Sequence, residues 1–236
     1  MLGEVLTATV TPFDADGNVD YDRYRELCGF LVDNGSDGVV VNGTTGEAST
    51  LSEEERVGLI RAALDAIGDR ATVIAYNIPG RVVVNIEPET MSELAEIPNV
   101  TAVKQSNADL DQARHIVELG LDLYAGDDNL VLPFVELGGR GGVCVHTHIV
   151  GPQVKELVRL AREGDLDGAR QIDEELAPAI ELIGVVTGPI QIKAALNMLG
   201  HEVGGLRLPL VEASDEEKAR IRSCLERLKL LEPARV

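Results

Sequence analysis

This sequence lacks the features that mark several common protein classes. It has no stretch long and apolar enough to span a bilayer, and no basic-then-apolar segment at its N-terminus. A Pro/Ser/Gly-rich linker, a low-complexity tract and an obvious repeat are also missing. These absences predict a soluble, cytoplasmic chain with a single structural unit.

Cysteine and positive charge are scarce. The three cysteines, Cys28, Cys144 and Cys224, are widely spaced and form no CxxC pair, which predicts buried thiols in a reducing compartment. With 21 Lys and Arg against 40 Asp and Glu, the formal net charge is −19, which disfavours nucleic acid and anionic membranes as partners. An anionic small-molecule substrate therefore needs local positive charge in its pocket.

The chain nevertheless has enough apolar material for a full core, since 44% of its 236 residues are hydrophobic. Strand-like runs ending in turn residues alternate with amphipathic stretches, a pattern typical of a parallel sheet wrapped by helices. Six strands are predicted, at residues 4–10, 38–41, 71–76, 100–104, 121–125 and 142–145. Three C-terminal helices are predicted at residues 166–183, 189–199 and 215–230.

Chemically useful side chains lie near the predicted carboxyl ends of strands, where parallel α/β folds bind ligands. Tyr76 ends the third strand, Arg81 follows in the next turn, and Lys104 ends the fourth strand. A lysine that points into a barrel is costly to keep charged, which favours a nucleophilic amine able to form a Schiff base. Taken singly, the three residues are better explained as a core tyrosine, a surface arginine and a solvated lysine.

The turn after the second strand is a candidate anion-binding loop. Its sequence, Asn-Gly-Thr-Thr-Gly-Glu at residues 42–47, frames two threonines with glycines. Backbone N–H groups and threonine hydroxyls in such a turn can hold a carboxylate. A strand-to-helix turn needs glycines in any case, so the alternative is a purely structural loop. Ser52 and Glu55 predict a capping box for the helix that follows.

A metal site is a further alternative. His146 and His148 lie two residues apart, so on a strand they would face the same way, and Asp127 follows the preceding strand. Two histidines and a carboxylate are a ligand set used by hydrolytic barrels. Histidines packed at the barrel rim are the simpler interpretation, and no metal is predicted.

Several motifs occur together in the order found in one family. They are Val10-Thr11-Pro12-Phe13, Gly43-Thr44-Thr45-Gly46-Glu47, Tyr76-Asn77-Ile78-Pro79-Gly80-Arg81, Val103-Lys104, Gly126-Asp127-Asp128 and Leu206-Arg207-Leu208-Pro209-Leu210. On these motifs the chain resembles the 4-hydroxy-tetrahydrodipicolinate synthase (dihydrodipicolinate synthase) family of pyruvate-dependent class I aldolases over nearly its whole length. The resemblance implies a TIM-barrel lyase of lysine biosynthesis that has small-molecule substrates and needs no separate cofactor.

The resemblance also implies roles for single residues. Lys104 would form a covalent imine with pyruvate, and Tyr76 and Thr44 would transfer protons. Arg81 would bind the carboxylate of aspartate semialdehyde, and the backbone carbonyl of Val143 would help orient the lysine amine. The implied substrate-binding residues are Thr45, Gly43, Arg81 and Val143.

The chain departs from the family by lacking two βα units between the third strand and the Tyr-Asn-Ile-Pro strand. We therefore expect a barrel of six rather than eight units over residues 1–163, with residues 164–236 packed on it as helices. The lost segment carries a relay tyrosine that acts across a subunit interface, so weakened turnover is expected. A non-catalytic subunit that binds 2-oxo acids or serves in assembly is the alternative. Six strands either close a narrower barrel or leave an open sheet with two unpaired edges, and an open sheet would favour a homo-oligomer.

Overall fold

The computed structural model describes residues 3–67, 73–77, 85–96 and 100–232. Its strands end within one or two residues of the predicted positions, and residue 71 lies outside the described residues. The strands are β1 (Val5–Ala8), β2 (Gly38–Val40), β3 (Val73–Asn77), β4 (Val100–Gln105), β5 (Asp122–Ala125) and β6 (Gly141–Cys144).

All six strands form one parallel sheet in the order β2-β1-β6-β5-β4-β3. This order confirms the predicted TIM-barrel-like sheet of six units. It places β2 and β3 at the two ends of the sheet, and within the described ranges no ladder joins them.

Six helices follow the strands, each beginning within a few residues of a polar or turn signal. They are α1 (Tyr21–Asp33), α2 (Glu53–Ile67), α3 (Pro88–Ala95), α4 (Leu110–Glu118), α5 (Val131–Glu136) and α6 (Thr147–Glu163). The capping box predicted before α2 is confirmed. The Glu55 N–H donates to Ser52 Oγ at 3.1 Å, and the Ser52 N–H donates to Glu55 Oε2 at 2.8 Å.

The C-terminal region is helical, as predicted, but is divided differently. Its helices are α7 (Leu166–Glu175), α8 (Ala177–Ile183), α9 (Ile190–Met198) and α10 (Asp215–Arg227). The prediction of one helix over residues 166–183 was wrong, because the chain breaks at Leu176. Pro178 lies in the first turn of α8, where its missing N–H leaves no helical hydrogen bond unmade. No helix in the described part of the chain combines the length and apolar character needed to cross a membrane.

The interior of the curled sheet is filled by few and mostly small side chains. Leu6, Ala8, Ala102, Tyr124 and Val143 form one buried cluster there. The alternate residues of β1 face the helices instead, because side chains alternate along a strand. The Thr7 hydroxyl donates to Thr147 Oγ1 at 2.8 Å, and the hydroxyl of Thr9, the residue after β1, contacts the Tyr24 hydroxyl at 2.9 Å. Small interior residues leave open space at the carboxyl ends of the strands.

Candidate active site

A cavity of about 460 Å³ lies at the carboxyl ends of the strands. Its wall combines strand ends of the sheet with the segment around the α8–α9 connection. The lining residues are Ala8, Val40, Val41, Asn42, Gly43, Thr44, Thr45, Lys104, Gly126, Asp127, Asp128, Val143, Val145, Ile183, Thr187, Gly188 and Gln191. The volume fits a small metabolite, and the location is the one where parallel α/β folds bind ligands.

Lys104 is half-buried in this wall, one residue before the end of β4. It lies two residues beyond Ala102, which packs in the sheet interior, so it shares the interior face of the strand. Its backbone is in register with Tyr76 on β3 and Tyr124 on β5. The sheet therefore holds the lysine where a small ligand in the cavity can contact its amine.

The turn at residues 42–47 forms another part of the wall. The Gly46 N–H donates to the Gly43 carbonyl at 3.1 Å, and the Glu47 N–H donates to the Thr44 carbonyl at 3.1 Å. The left-handed positions of the turn are Asn42 (φ 58°) and Glu47 (φ 57°) rather than the glycines. Gly46 is needed for close approach, since a Cβ there would lie 3.1 Å from the Thr9 carbonyl oxygen. Gly43, Thr44 and Thr45 all line the cavity, as a carboxylate-holding turn requires.

Glu47 anchors this turn to the C-terminal helices. Its Oε1 lies 2.9 Å from Lys193 Nζ on α9, and the two side chains are 0% and 2% exposed. The ammonium also lies 4.3 Å from the centre of the Phe13 ring and donates to the Gly205 carbonyl at 2.5 Å. The second oxygen, Oε2, accepts from the Arg207 N–H at 3.1 Å. Burial lowers the pKa of Lys193, and the Glu47 carboxylate opposes that shift.

The end of β6 is fixed by a buried carboxylate. Asp128 Oδ1 accepts from the Val145 N–H at 2.8 Å and from the His146 N–H at 2.6 Å. Burial raises the pKa of Asp128, but the adjacent His146 ring and these backbone bonds outweigh it and the net shift is downward. Asp128 thus shapes the cavity wall beside Val143 by tying down the two residues that follow β6.

The metal interpretation put His146 and His148 on one face of a strand, which was wrong. The strand ends at Cys144 and α6 begins at Thr147, so the two side chains diverge. His148 Nδ1 lies 2.8 Å from the Val145 carbonyl. A different set, Asp128, Cys144 and His146, holds ligand atoms within 4.8 Å of one another in the described residues. Burial raises the pKa of the Cys144 thiol well above its usual value, which disfavours the thiolate a metal needs.

Two sequence-predicted residues fall wholly or partly outside the described residues. The backbone of Tyr76 lies in β3 opposite Lys104, but its side chain is not among the described atoms. Arg81 lies outside the described residues altogether.

The other three tyrosines point away from the cavity. Tyr124 lies in the sheet interior, but its hydroxyl donates to the Gly3 carbonyl at 2.7 Å, at the amino ends of the strands. Tyr24 reaches Thr9 on the helix-facing side of β1, and burial raises its pKa strongly. The charges nearest the Tyr21 hydroxyl are Glu54, Glu55 and Arg207, and burial and the two glutamates raise its pKa. None of the three supplies the relay hydroxyl that the resemblance associates with the lost segment.

The sequence motifs do not reveal the part of the wall formed by the end of α8, the start of α9 and the segment between them. Ile183, Thr187, Gly188 and Gln191 close the cavity over the strand ends. A Gly-Pro pair before a predicted helix was the available signal, because it marks a chain reversal followed by a helix start. Periodicity alone does not say which helix folds back over the sheet.

The fold and the cavity together define the class. A curled parallel sheet with a lysine-lined cavity at its carboxyl ends is the architecture of a TIM-barrel-like enzyme. Comparison with known proteins gives the family. The model of the dihydrodipicolinate synthetase family matches residues 1–75 and 72–228. The break at residues 72–75 coincides with the predicted site of the two lost βα units.

Relatives and solved structures agree with this match. A 4-hydroxy-tetrahydrodipicolinate synthase of Moorella thermoacetica is 37% identical, with 97% of this chain and 99% of the relative covered. The 4-hydroxy-tetrahydrodipicolinate synthase of Heliobacterium modesticaldum is 36% identical, with 95% of both chains covered. This alignment has 284 positions, more than the 236 residues of this chain, so it contains gaps on this side. Dihydrodipicolinate synthase from Aquifex aeolicus superposes with a TM-score of 0.91 at 31% identity and covers 97% of this chain and 98% of its own.

A structure described as the first monomeric dihydrodipicolinate synthase variant superposes with a TM-score of 0.86 at 26% identity, covering 97% of each chain. The chain belongs to the dihydrodipicolinate synthetase family. It is an enzyme of the lyase type, and the predicted resemblance is confirmed.

Proposed function

We propose that this chain is a Schiff-base-forming lyase that condenses pyruvate with aspartate semialdehyde in the cytoplasm. The observation that carries the proposal is the half-buried Lys104 in the cavity wall, with the turn at residues 42–47 in the same wall. A lysine amine that shares a cavity with hydroxyl and N–H donors is suited to imine formation with a 2-oxo acid. The imine is built from the protein's own lysine, so no separate cofactor is invoked.

In the proposed reaction, Lys104 Nζ attacks the pyruvate ketone and water leaves, which gives an imine. Loss of a methyl proton from the imine gives an enamine, whose carbon attacks the aldehyde of the second substrate. Thr44, Thr45 and the Gly43 backbone hold the pyruvate carboxylate, and the Val143 carbonyl orients the amine. Tyr76 and Thr44 move protons, and Arg81 binds the carboxylate of aspartate semialdehyde.

The test is reduction with borohydride in the presence of pyruvate, followed by intact-mass and peptide-map analysis. The natural chain and a Lys218→Met control should each gain one reduced adduct, because Lys218 lies outside the cavity, paired with Glu212. A Lys104→Met variant should gain none. A folded natural chain without an adduct at Lys104 refutes the proposal.

Turnover is expected to be weaker than that of full-length relatives, because the described tyrosines offer no hydroxyl to replace the lost relay. A general acid–base contribution is worth about 10²–10⁴-fold in rate. Steady-state condensation with aspartate semialdehyde measures this loss.

The position of the three tyrosine hydroxyls also favours a second candidate, a non-catalytic subunit that binds 2-oxo acids. Absence of any adduct together with pyruvate binding supports that second function.

The assembly is proposed on similar grounds. We expect the barrel at residues 1–163 and the helices at 164–236 to act as one structural unit, since both contribute to the cavity wall. We also propose a homo-oligomer, because β2 and β3 are the end strands of the sheet. A single cooperative unfolding transition tests the first of these statements.

A further inference from the structure

The turn at residues 42–47 is held in place from two sides. On one side, the Thr11 hydroxyl donates to the Gly46 carbonyl at 2.7 Å and ties the turn to the segment that follows β1. On the other side, the buried Glu47 carboxylate reaches α9, where its Oε1 accepts from Lys193 Nζ at 2.9 Å. The ion pair is thus a directional link between this turn and a helix that is distant in the sequence.

Further contacts hold both partners of the ion pair in one arrangement. Lys193 Nζ also donates to the Gly205 carbonyl at 2.5 Å and lies 4.3 Å from the centre of the Phe13 ring. The second oxygen of Glu47, Oε2, accepts from the Arg207 N–H at 3.1 Å. Neither side chain can turn away without breaking several contacts, so a shift of α9 would be passed on to the turn.

Stability alone does not account for this ion pair. The Glu47 and Lys193 side chains are 0% and 2% exposed, and removing both charges from water is so costly that neutral residues of similar volume often fill such a site equally well. A neutral apolar pair, however, lacks the fixed geometry of a charged hydrogen bond. That geometry matters here because Glu47 lies two and three residues after Thr45 and Thr44, which line the cavity.

We propose that Lys193 is a positioning residue for the pyruvate carboxylate and acts through Glu47 on the turn at residues 42–47. The inference rests on the proposed function and deepens it by assigning a residue that orients the carboxylate-holding turn without touching the substrate. With the ion pair intact, the N–H and hydroxyl donors of the turn are ordered before pyruvate binds, so binding does not have to order them. Without the ion pair, the Lys104 amine still reacts with the ketone, but the carboxylate is held less well.

The test compares pyruvate with methyl pyruvate, which has the same ketone but carries its carboxylate as an ester. The concentration of each ketone that gives the half-maximal borohydride adduct at Lys104, in a fixed short reaction time, measures its binding. The natural chain should prefer pyruvate. Lys193→Met should reduce this preference about tenfold, the effect of one hydrogen bond to a charged group, by raising the half-maximal concentration of pyruvate alone. In steady state, the KM for pyruvate should rise and the KM for aspartate semialdehyde should change little.

Two further variants separate positioning from a general loss of stability. Leu157→Ala is the control, because Leu157 is 2% exposed in a buried cluster of described residues to which α9 contributes none. It should destabilise the chain and keep the preference for pyruvate. Glu47→Gln/Lys193→Met leaves no buried charge unpaired, so it should be more stable than Lys193→Met and still show the reduced preference. This double variant also carries the comparison if Lys193→Met does not fold.

Three results would overturn the inference. They are a natural chain that forms the adduct without preferring pyruvate, an equal effect of Lys193→Met on the two ketones, and a preference that returns in Glu47→Gln/Lys193→Met. Failure of the natural chain to form the Lys104 adduct with pyruvate refutes the proposed function instead, so the two failures are distinguishable.

Discussion

His148 is a titratable side chain that the fold buries in its neutral form. It is 1% exposed, its Nδ1 lies 2.8 Å from the Val145 carbonyl, and its Nε2 accepts from the Val10 N–H at 3.4 Å. A neutral ring with its proton on Nδ1 satisfies both contacts. Burial lowers the pKa of His148 from 6.5 to about 4; His201 and His146 lower it further, while Asp128 and the Val145 carbonyl oppose the shift.

The free energy of unfolding should therefore fall on acidification, because His148 is harder to protonate in the folded chain than in the unfolded chain. The unfolded chain binds a proton near pH 6.5 and the folded chain near pH 4, so the stabilisation is complete above pH 6.5 and is lost as the pH falls towards 4. Between about pH 7.5 and about pH 5, His148 should lower the free energy of unfolding by roughly 2 kcal/mol. Urea unfolding of the natural chain and of His148→Asn at both pH values measures it. The pH dependence should be flatter by this amount in His148→Asn, and parallel curves would contradict the assignment.

Residues with a distinctive local pattern were predictable, and residues brought in by tertiary folding were not. Lys104 and Thr44 were identified because each lies where a predicted strand ends, and both line the cavity. Gln191 carries no local signal, since a glutamine early in a helix is ordinary. It lines the cavity only because α9 folds over strands that lie far away in the sequence. The roles assigned to the predicted residues remain predictions.

At the scale of elements, the turn at residues 42–47 depends on α9 for its position. The Glu47 carboxylate forms a buried ion pair with Lys193, which α9 supplies. Because Glu47 itself is in the left-handed region, the turn needs an external contact to hold this conformation. A small displacement of α9 would therefore move the threonines relative to Lys104.

Breaking this ion pair should be costly. Lys193→Met leaves the Glu47 charge buried without its cation, and it should lower the free energy of unfolding by about 3–5 kcal/mol. The double variant Glu47→Gln/Lys193→Met removes both charges, so it should lose less than the sum of the two single variants. Urea unfolding of all four proteins measures the coupling.

Lys218→Met is the matched control, because the Lys218–Glu212 pair is 39% and 67% exposed at a distance of 3.1 Å. Its cost should be at most about 1 kcal/mol. Strict additivity of Glu47→Gln and Lys193→Met would mean that the buried pair does not act as a unit.

Helices and strands were predicted well where the apolar periodicity agrees with the turn residues that bound each element. The alternation of apolar runs and amphipathic stretches gave all six strands, because each strand is short, apolar and bounded by turns. Errors arose where one signal hid another. The apolar residues around Leu176 continue a helical pattern through a break. The order of strands in the sheet follows from packing and has no local signal.

For the whole molecule, the loss of two βα units bears on the ends of the sheet. β2 and β3 are the end strands, and the helix after β2 carries two apolar side chains one turn apart, Ile60 and Leu64, which are 45% and 39% exposed. Strand edges and apolar helix surfaces of this kind favour association with a second chain.

We expect sedimentation-velocity analysis of the natural chain to give a mass that is a multiple of the single-chain mass, because the shortened sheet leaves end strands that a second copy can cover. The variant Ile60→Lys/Leu64→Lys should shift the distribution towards monomer, since burying two charges at a contact is unfavourable. Leu110→Lys is the matched control, because Leu110 is 42% exposed and lies on α4 rather than on α2. A natural chain that sediments only as a monomer would contradict the homo-oligomer.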